Sequence, residues 1–307
     1  MTNTNHLIKD TKADRVFKVF LYIFIFLAVA IVVYPLVYII SASISSPQSV
    51  NSGAMWFFPK DITWEGYGVI LKYKDIWRGY GMTIFYTVTG TLVSLILTIP
   101  CAYAISRPDF SGKKWFTSFM LVTMFLNGGL IPTYLLIRNM GMIDTVWAII
   151  LPGAASVYNI VVTRSFFQSS VPWEMQEAAK IDGASDFQIF FKIVLPLSAP
   201  IIAVMALFYG VGIWNSYFSA LVYLQNKALY PLQMVLRQIL VLQDMQQGAA
   251  TGANVTASAA QAAYDKATLA AIIKYGVMIV SSLPVIIVYP FLQRFFVKGV
   301  LIGSLKG

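Results

Sequence analysis

The chain has 307 residues, 58% of them hydrophobic and only 11% charged, against about 25% charged in an ordinary soluble domain. That composition excludes a water-soluble globular protein and fits a membrane protein. The formal charge of +9 sits beside apolar runs and not in a basic patch interleaved with aromatics, so it fits lipid headgroups and topology, not nucleic acid.

In chain order, residues 1–18 form a polar N-terminal segment holding His6, the one histidine. The run 19–40 is too long for the apolar region of a signal peptide and no small-residue cleavage site follows promptly, so it reads as a retained first span. Residues 41–78 follow as an outer loop containing Trp56, Trp64 and Trp77, suited to an interface or a small packed cap. The second span, 79–106, holds Cys101, the single cysteine. One cysteine and one histidine leave no internal disulfide and no structural zinc site. A third span covers 115–137, with Asn127-Gly128-Gly129 as a helix break that would line a cavity. Further spans follow at 145–163, 193–224 and 275–293. An outer loop at 225–274 includes the Ala/Gly-rich stretch 248–263, and 298–307 is a C-terminal tail. Each run approaches the roughly 20 apolar residues needed to cross the hydrocarbon core as a helix. Pro35, Pro100, Pro132, Pro152 and Pro284 punctuate five of the spans and are expected to kink them.

Six spans place both termini on one side. With that side inside, thirteen of the 22 Lys and Arg residues fall in inner segments and nine in longer outer loops. Positive density therefore favours cytoplasmic termini.

The inner connection 164–192 differs in kind from the other loops. Pro172 suits a first helical turn, and Glu174 and Glu177 favour its positive dipole end. Helix formers run to Ile181, and Gly183 closes the helix in a left-handed conformation. Ser185 and Gln188 make a capping box for a second short helix entering Ile189-Phe190-Phe191. Ala178 and Ala179 leave room for another surface, and Glu177 and Asp182 offer anionic groups. Spacing alone leaves an amphipathic interfacial helix equally open.

The residues decide it. Glu177-Ala178-Ala179, Asp182-Gly183, Ile193 and Leu195-Pro196 resemble the EAA loop of ABC importer permeases, with matching spacing throughout. Most of the chain is similar to the carbohydrate-uptake permeases of the maltose-type inner-membrane class, and within them to the LplC- or YtcP-like branch for complex oligosaccharides. Asn127 to Tyr134, Leu151-Pro152-Gly153, Trp214-Asn215, Pro231-Leu232-Gln233, Tyr289 to Gly299 and Lys306-Gly307 carry that closer match. The Ala/Gly-rich outer loop matches least.

The resemblance implies an all-α fold of six transmembrane helices with a cytoplasmic coupling loop, the type I ABC importer fold, in a bacterial plasma membrane. It implies a second permease subunit, most simply a heterodimer, with two cytoplasmic ATP-binding subunits and an extracytoplasmic sugar-binding lipoprotein. Glu174, Glu177, Ala178, Ala179, Asp182, Gly183 and Ser185 would seat in the ATPase, and Lys298, Gly299 and Lys306 in the tail would reach it too. ATP and magnesium would belong to that partner. This chain has no nucleotide loop of its own: Gly112-Lys113-Lys114 lacks the following Ser/Thr, and Arg107 stands where the first glycine belongs.

Sugars are held by aromatic faces and by side-chain amides. The candidates in the spans are Asn127, Tyr158, Asn159, Trp214, Asn215 and Tyr217, with Trp214-Asn215 foremost. The three asparagines need a partner or water in lipid, and glue between helices accounts for them equally well. For the aromatics a lipid-facing or helix-packing surface is the plainer role. No Asp or Glu lies inside any span, so ion coupling has nowhere to act, and a membrane enzyme has no base or metal-bound water. A permease for a non-sugar solute is the remaining alternative, because other importer classes share the loop.

Overall fold

The computed structural model describes residues 11–249, 272–290 and 293, and among them the regular elements are helices, with one isolated bridge between Ser45 and Ile62. The all-helical membrane class expected from the sequence is what is found. The chain divides into two compact units, residues 1–70 with 254–279, and residues 71–253 with 280–307.

The first unit begins with α1 (Lys12–Ser43). Thr11 caps it: its hydroxyl accepts from the Asp14 amide at 3.2 Å, and Asp14 accepts from the Thr11 amide at 2.9 Å. At 1.5 Å per residue the helix is about 48 Å long, more than a hydrocarbon core needs. Residues 16–36 are exposed on every side although nearly all are apolar. Such a helix belongs in lipid or against another chain. Beyond it, α2 (Pro47–Asn51) opens on the Ser46 cap with proline in its first turn, and α3 (Glu65–Lys72) leads out of the unit. The Ser41 hydroxyl donates to the Phe57 carbonyl at 2.7 Å and Ser49 donates to Asp61. Ala42, Val50 and Met55 pack with Tyr38 and Tyr275 beneath them. This stretch is a small packed cap, although Trp56 and Trp64 stay exposed.

The second unit is organised on α4 (Lys74–Ser106), about 50 Å long. The chain then runs through α5 (Lys113–Phe125), α6 (Leu130–Asn139), α7 (Trp147–Ile150), α8 (Val157–Ser170), α9 (Trp173–Ile181) and α10 (Asp186–Ile189). A π turn (Phe190–Val194) leads into α11 (Leu195–Leu197), α12 (Ala199–Trp214), α13 (Tyr217–Tyr223), a 3-10 turn (Lys227–Leu229) and α14 (Leu232–Ala249). The last described helix, α15 (Ile272–Pro290), begins in the first unit and ends in the second.

Helix α4 packs on α8, α12 and α14. Its hydroxyls supply the cross-links: Thr98 shares a 2.6 Å bond with Tyr209 on α12, and the Leu232 amide donates to Thr83 at 2.7 Å. Tyr209 also accepts from the Ser156 amide at 3.2 Å. A Cβ at Gly79 would stand 3.2 Å from the Leu232 backbone, so a small residue there lets the two helices approach closely.

Among the described residues three helices, α1, α4 and α15, are long and apolar enough to cross a membrane, and two bent pairs raise the number to five. The expected third span is one of these pairs, since α5 and α6 meet at 113°. At the break Gly129 has φ +84° and its amide donates to the Asn127 side chain at 2.9 Å. The expected fifth span bends by 78° at Ser198, where Pro200 lacks an amide hydrogen and its ring crowds the preceding turn. The expected span 145–163 is divided by the Pro152-Gly153 turn into α7 and α8, and α8 runs on to Ser170, past the expected start of the coupling loop at residue 164. Pro35, Pro100 and Pro284 lie inside helices, whereas Pro132 sits in the first turn of α6 and Pro152 between helices. The last two therefore begin or interrupt helices and do not kink them.

Candidate functional site

The segment 172–189 folds as its local chemistry dictates. Pro172 stands immediately before α9 with Glu174 in the first turn. The helix ends at Asp182, and Gly183 takes φ +81°. Its amide donates to the Lys180 carbonyl at 3.0 Å and the Ala184 amide to the Ala179 carbonyl at 2.9 Å. This paired closure ends a helix in a left-handed residue. Ser185 then caps α10 as expected: its hydroxyl accepts from the Gln188 amide at 3.3 Å and Gln188 accepts from the Ser185 amide at 2.9 Å. Two short helices thus meet at a glycine corner.

One side of this platform is exposed and mixed in character. Glu174, Glu177, Ala178, Asp182, Gly183 and Ser185 are exposed, and Ala179 is half-buried. Beside them Ile181 is 86% and Phe187 78% exposed, more apolar surface than such a short polar segment usually leaves open. The Trp173 indole donates to the Glu177 carboxylate at 2.7 Å, one turn along α9, and fixes that side chain.

The other side is anchored to the end of α4. The Arg107 guanidinium donates to both Asp109 oxygens at 2.8 and 2.6 Å, to Asp186 at 2.9 Å and to the Tyr103 hydroxyl at 3.2 Å. It also lies over the rings of Tyr103 and Trp173, 5.7 and 5.5 Å from their centroids. Tyr103 donates to Gln176 at 2.8 Å in a buried bond. Lys180 reaches Asp109 at 3.2 Å and Asp186 at 3.7 Å, and stands over Trp173. Arg107 holds the Asp109 carboxyl well below the usual carboxylate range, and the bond to Asp109 in turn raises the arginine further. Ile189, Phe190 and Val194 complete the seat by packing with Ile99, Ala102 and Tyr103.

Sequence reasoning missed this anchor. Arg107 reads there only as a charge at the end of a span, and its partners lie up to 79 positions away. The Arg-Pro-Asp run at 107–109, directly after an apolar span, is the one local signal: a helix stop with a basic and an acidic side chain close enough to pair.

The sugar-path candidates fall in three places, and no described hydrogen bond joins them. Asn127 lies exposed in the α5–α6 break. Tyr158 is exposed at the start of α8, and Asn159 beside it is buried. Trp214 is buried, and its indole donates to the Ser281 carbonyl on α15 at 3.0 Å. Asn215 caps α12 by donating to Val211 at 3.0 Å, and Tyr217 opens α13, half exposed. Trp214 also borders a cavity of about 540 Å³ among α4, α12 and α15, with Thr87, Thr91, Leu207 and Pro284 on its wall. That wall is almost wholly apolar, unlike the amide-rich surface a sugar needs. Lys298, Gly299 and Lys306 lie outside the described residues. Among the described residues no group of His, Cys, Asp and Glu side chains is placed to hold a metal ion.

Residues 7–302 match the family described as "binding-protein-dependent transport system inner membrane component". The chain is 40% identical over 302 residues to the protein LplC of Bacillus subtilis, covering 98% of this chain and 99% of that one. It is 37% identical to the polygalacturonan/rhamnogalacturonan transport system permease protein YtcP of the same organism, covering 96% and 99%. A crystal structure of a bacterial ABC transporter involved in import of the acidic polysaccharide alginate contains a chain that superposes with TM-score 0.81 at 34% identity, over 93% of this chain and 98% of that chain.

Proposed function

The chain belongs to the family of binding-protein-dependent transport system inner membrane components, and we propose that its α9–α10 platform is where a separate ATPase drives it. It is a multi-pass membrane protein, the permease subunit of an ABC importer for oligosaccharides, similar in sequence to sugar-transport permeases over nearly its whole length. It forms half of the pathway beside a second permease subunit, with both termini cytoplasmic. Two cytoplasmic ATP-binding subunits carry ATP and magnesium, and an extracytoplasmic lipoprotein delivers the sugar.

The observation that carries the coupling role is the exposed corner at Gly183. A partner shifts a conformational equilibrium only through contacts that differ between the two states. The corner offers such contacts: Ile181 and Phe187 as apolar knobs, Ala178 as a site of close approach, and Glu174, Glu177 and Asp182 as an anionic rim. In this reading the ATPase dimer closes on ATP, carries the platform with it, and the spans tilt to open outward. The tail 298–307 reaches the same partner.

The acidic polysaccharide named for the structural relative and the polygalacturonan/rhamnogalacturonan named for YtcP make acidic oligosaccharides the first class to try. The test is uptake into proteoliposomes holding the chain with its neighbouring-frame permease, ATPase and lipoprotein. Oligogalacturonides, alginate oligomers and neutral maltooligosaccharides are offered in turn. Accumulation of at least one that depends on internal ATP is the expected outcome. Uptake that follows an ion gradient and ignores ATP overturns the reading.

A further inference from the structure

We propose that Arg107 is a positioning residue that locks both arms of the platform to the end of α4, so that the platform and α4 move as one body. The proposal rests on the coupling reading above and adds to it the path by which the push enters the membrane.

The corner alone would act as a hinge. Two short helices joined through Gly183, held at that corner only by the two backbone bonds that close α9, would fold about that joint when α9 is pushed and would not move a span. A lever requires each arm to be fixed to the same rigid element. Arg107 meets that requirement. From the end of α4 it reaches the first arm through the ring of Trp173 at 5.5 Å and the second arm through Asp186 at 2.9 Å. The paired bonds to Asp109 fix the plane of the guanidinium, as a forked donor on a carboxylate does. Its side chain is only 12% exposed, whereas Asp109 and Asp186 are 41% and 64% exposed, so the lock rests on the fixed geometry of the guanidinium and not on Coulomb strength.

Two further contacts repeat the connection. Tyr103, one turn earlier on α4, bonds Gln176 of the first arm at 2.8 Å in a buried contact. Lys180 of the first arm reaches Asp186 of the second at 3.7 Å, bridging the corner directly. Behind them α4, 33 residues long in all, packs on α8, α12 and α14. A displacement of the platform therefore reaches the centre of the unit along one continuous helix.

The test uses the assembled complex in nanodiscs, with Cys101→Ser and spin labels at Ile96→Cys on α4 and Lys192→Cys beyond α10, both exposed. Distances are measured without nucleotide and after trapping with ATP and vanadate. The expected result is one narrow distance common to both states. Arg107→Lys, which keeps the charge but loses the fork, and Asp109→Asn are each expected to widen the distribution about twofold and make it state-dependent. Both variants keep most of the packing, so the test stands even where Arg107→Ala does not assemble. A wild-type distance that shifts with nucleotide, or variants that stay as narrow as wild type, overturns the lock. Failure of the coupling reading is seen separately, as failure of the ATPase subunit to co-purify with the wild-type chain. The nucleotide-free distances still decide the lock in that case.

Discussion

The Tyr103 hydroxyl donates to the Gln176 side chain across 73 positions of sequence, in a contact closed to solvent. An unpaired buried polar group costs about 1–3 kcal/mol, whereas replacing both partners with apolar groups of similar shape is nearly neutral. Tyr103→Phe alone is therefore expected to lower the thermal midpoint of the purified complex, because Gln176 loses its donor. Tyr103→Phe combined with Gln176→Leu should recover most of that loss. A loss in the double variant equal to the sum of the two single losses would show that the bond has no energetic role.

Gly183 has φ +81°, and a Cβ added there would meet nothing within 4 Å, so conformation and not space restricts this position. Gly183→Ala is expected to cost about 1–2 kcal/mol for the left-handed backbone. Gly183→Pro should do more, since it fixes φ near −65° and removes the amide that donates to Lys180. Both chains should still reach the membrane, because the helices that span it are built elsewhere. Sugar uptake per ATP hydrolysed is the measurement, with the alanine variant reduced and the proline variant near zero. Glu177→Lys should also uncouple, since it reverses the charge on the exposed rim and loses the bond from Trp173.

What the sequence reveals here is local chemistry. The Ser185 capping box, the Gly183 closure and the break at Asn127 all depend on residues within about five positions of one another, and each appears where the pattern placed it. What it hides is long-range. The 113° angle between α5 and α6 depends on how the flanking helices pack, which no neighbouring residue encodes. Arg164 is a natural end for the fourth span by charge, yet α8 continues through it for six more residues, because a helix need not stop where the apolar run does. Arg107 is the clearest case. Its meaning lies in Trp173 and Asp186, which the chain brings to it only after running through the four helices α5 to α8.

Acid should loosen the anchor before it affects the helices. Arg107 lowers the Asp109 pKa in the folded state. A carboxylate with a depressed folded pKa adds stability above its unfolded value, about 3.9, and that contribution disappears as pH falls through the folded value. The carboxylate is 41% exposed, so screening keeps its contribution small. The thermal midpoint of wild type should exceed that of Asp109→Asn by a constant margin from neutral pH down to about 4. Below that the two should converge. A margin that grows on acidification would contradict the assigned charge pairing.

Two glycines of α3 give a paired control. A Cβ at Gly66 would stand 2.7 Å from the Ile272 carbonyl oxygen, a backbone atom unable to move aside cheaply, while one at Gly68 meets nothing within 4 Å. Gly66→Ala should destabilise by about 1–3 kcal/mol through overpacking. Gly68→Ala should be neutral or slightly stabilising, because alanine favours the helix. Thermal midpoints of the two purified variants decide the matter, and equal midpoints would mean that residues 272–279 do not pack on α3.

Trp214 separates a structural role from a sugar contact. Its indole nitrogen donates to the Ser281 carbonyl and its ring meets Tyr80 edge-on at 5.9 Å, so both its polar and its aromatic capacities are already engaged within the protein. Trp214→Phe keeps an aromatic face but leaves the carbonyl without that donor, a loss of about 1 kcal/mol. The expected result is a lower thermal midpoint with the KM for sugar uptake unchanged. Asn215→Ala should likewise leave KM unchanged, since its amide only closes the last turn of α12 on Val211. A raised KM in either variant at wild-type stability would place that side chain on the sugar path, because only a group touching substrate weakens its binding without weakening the fold.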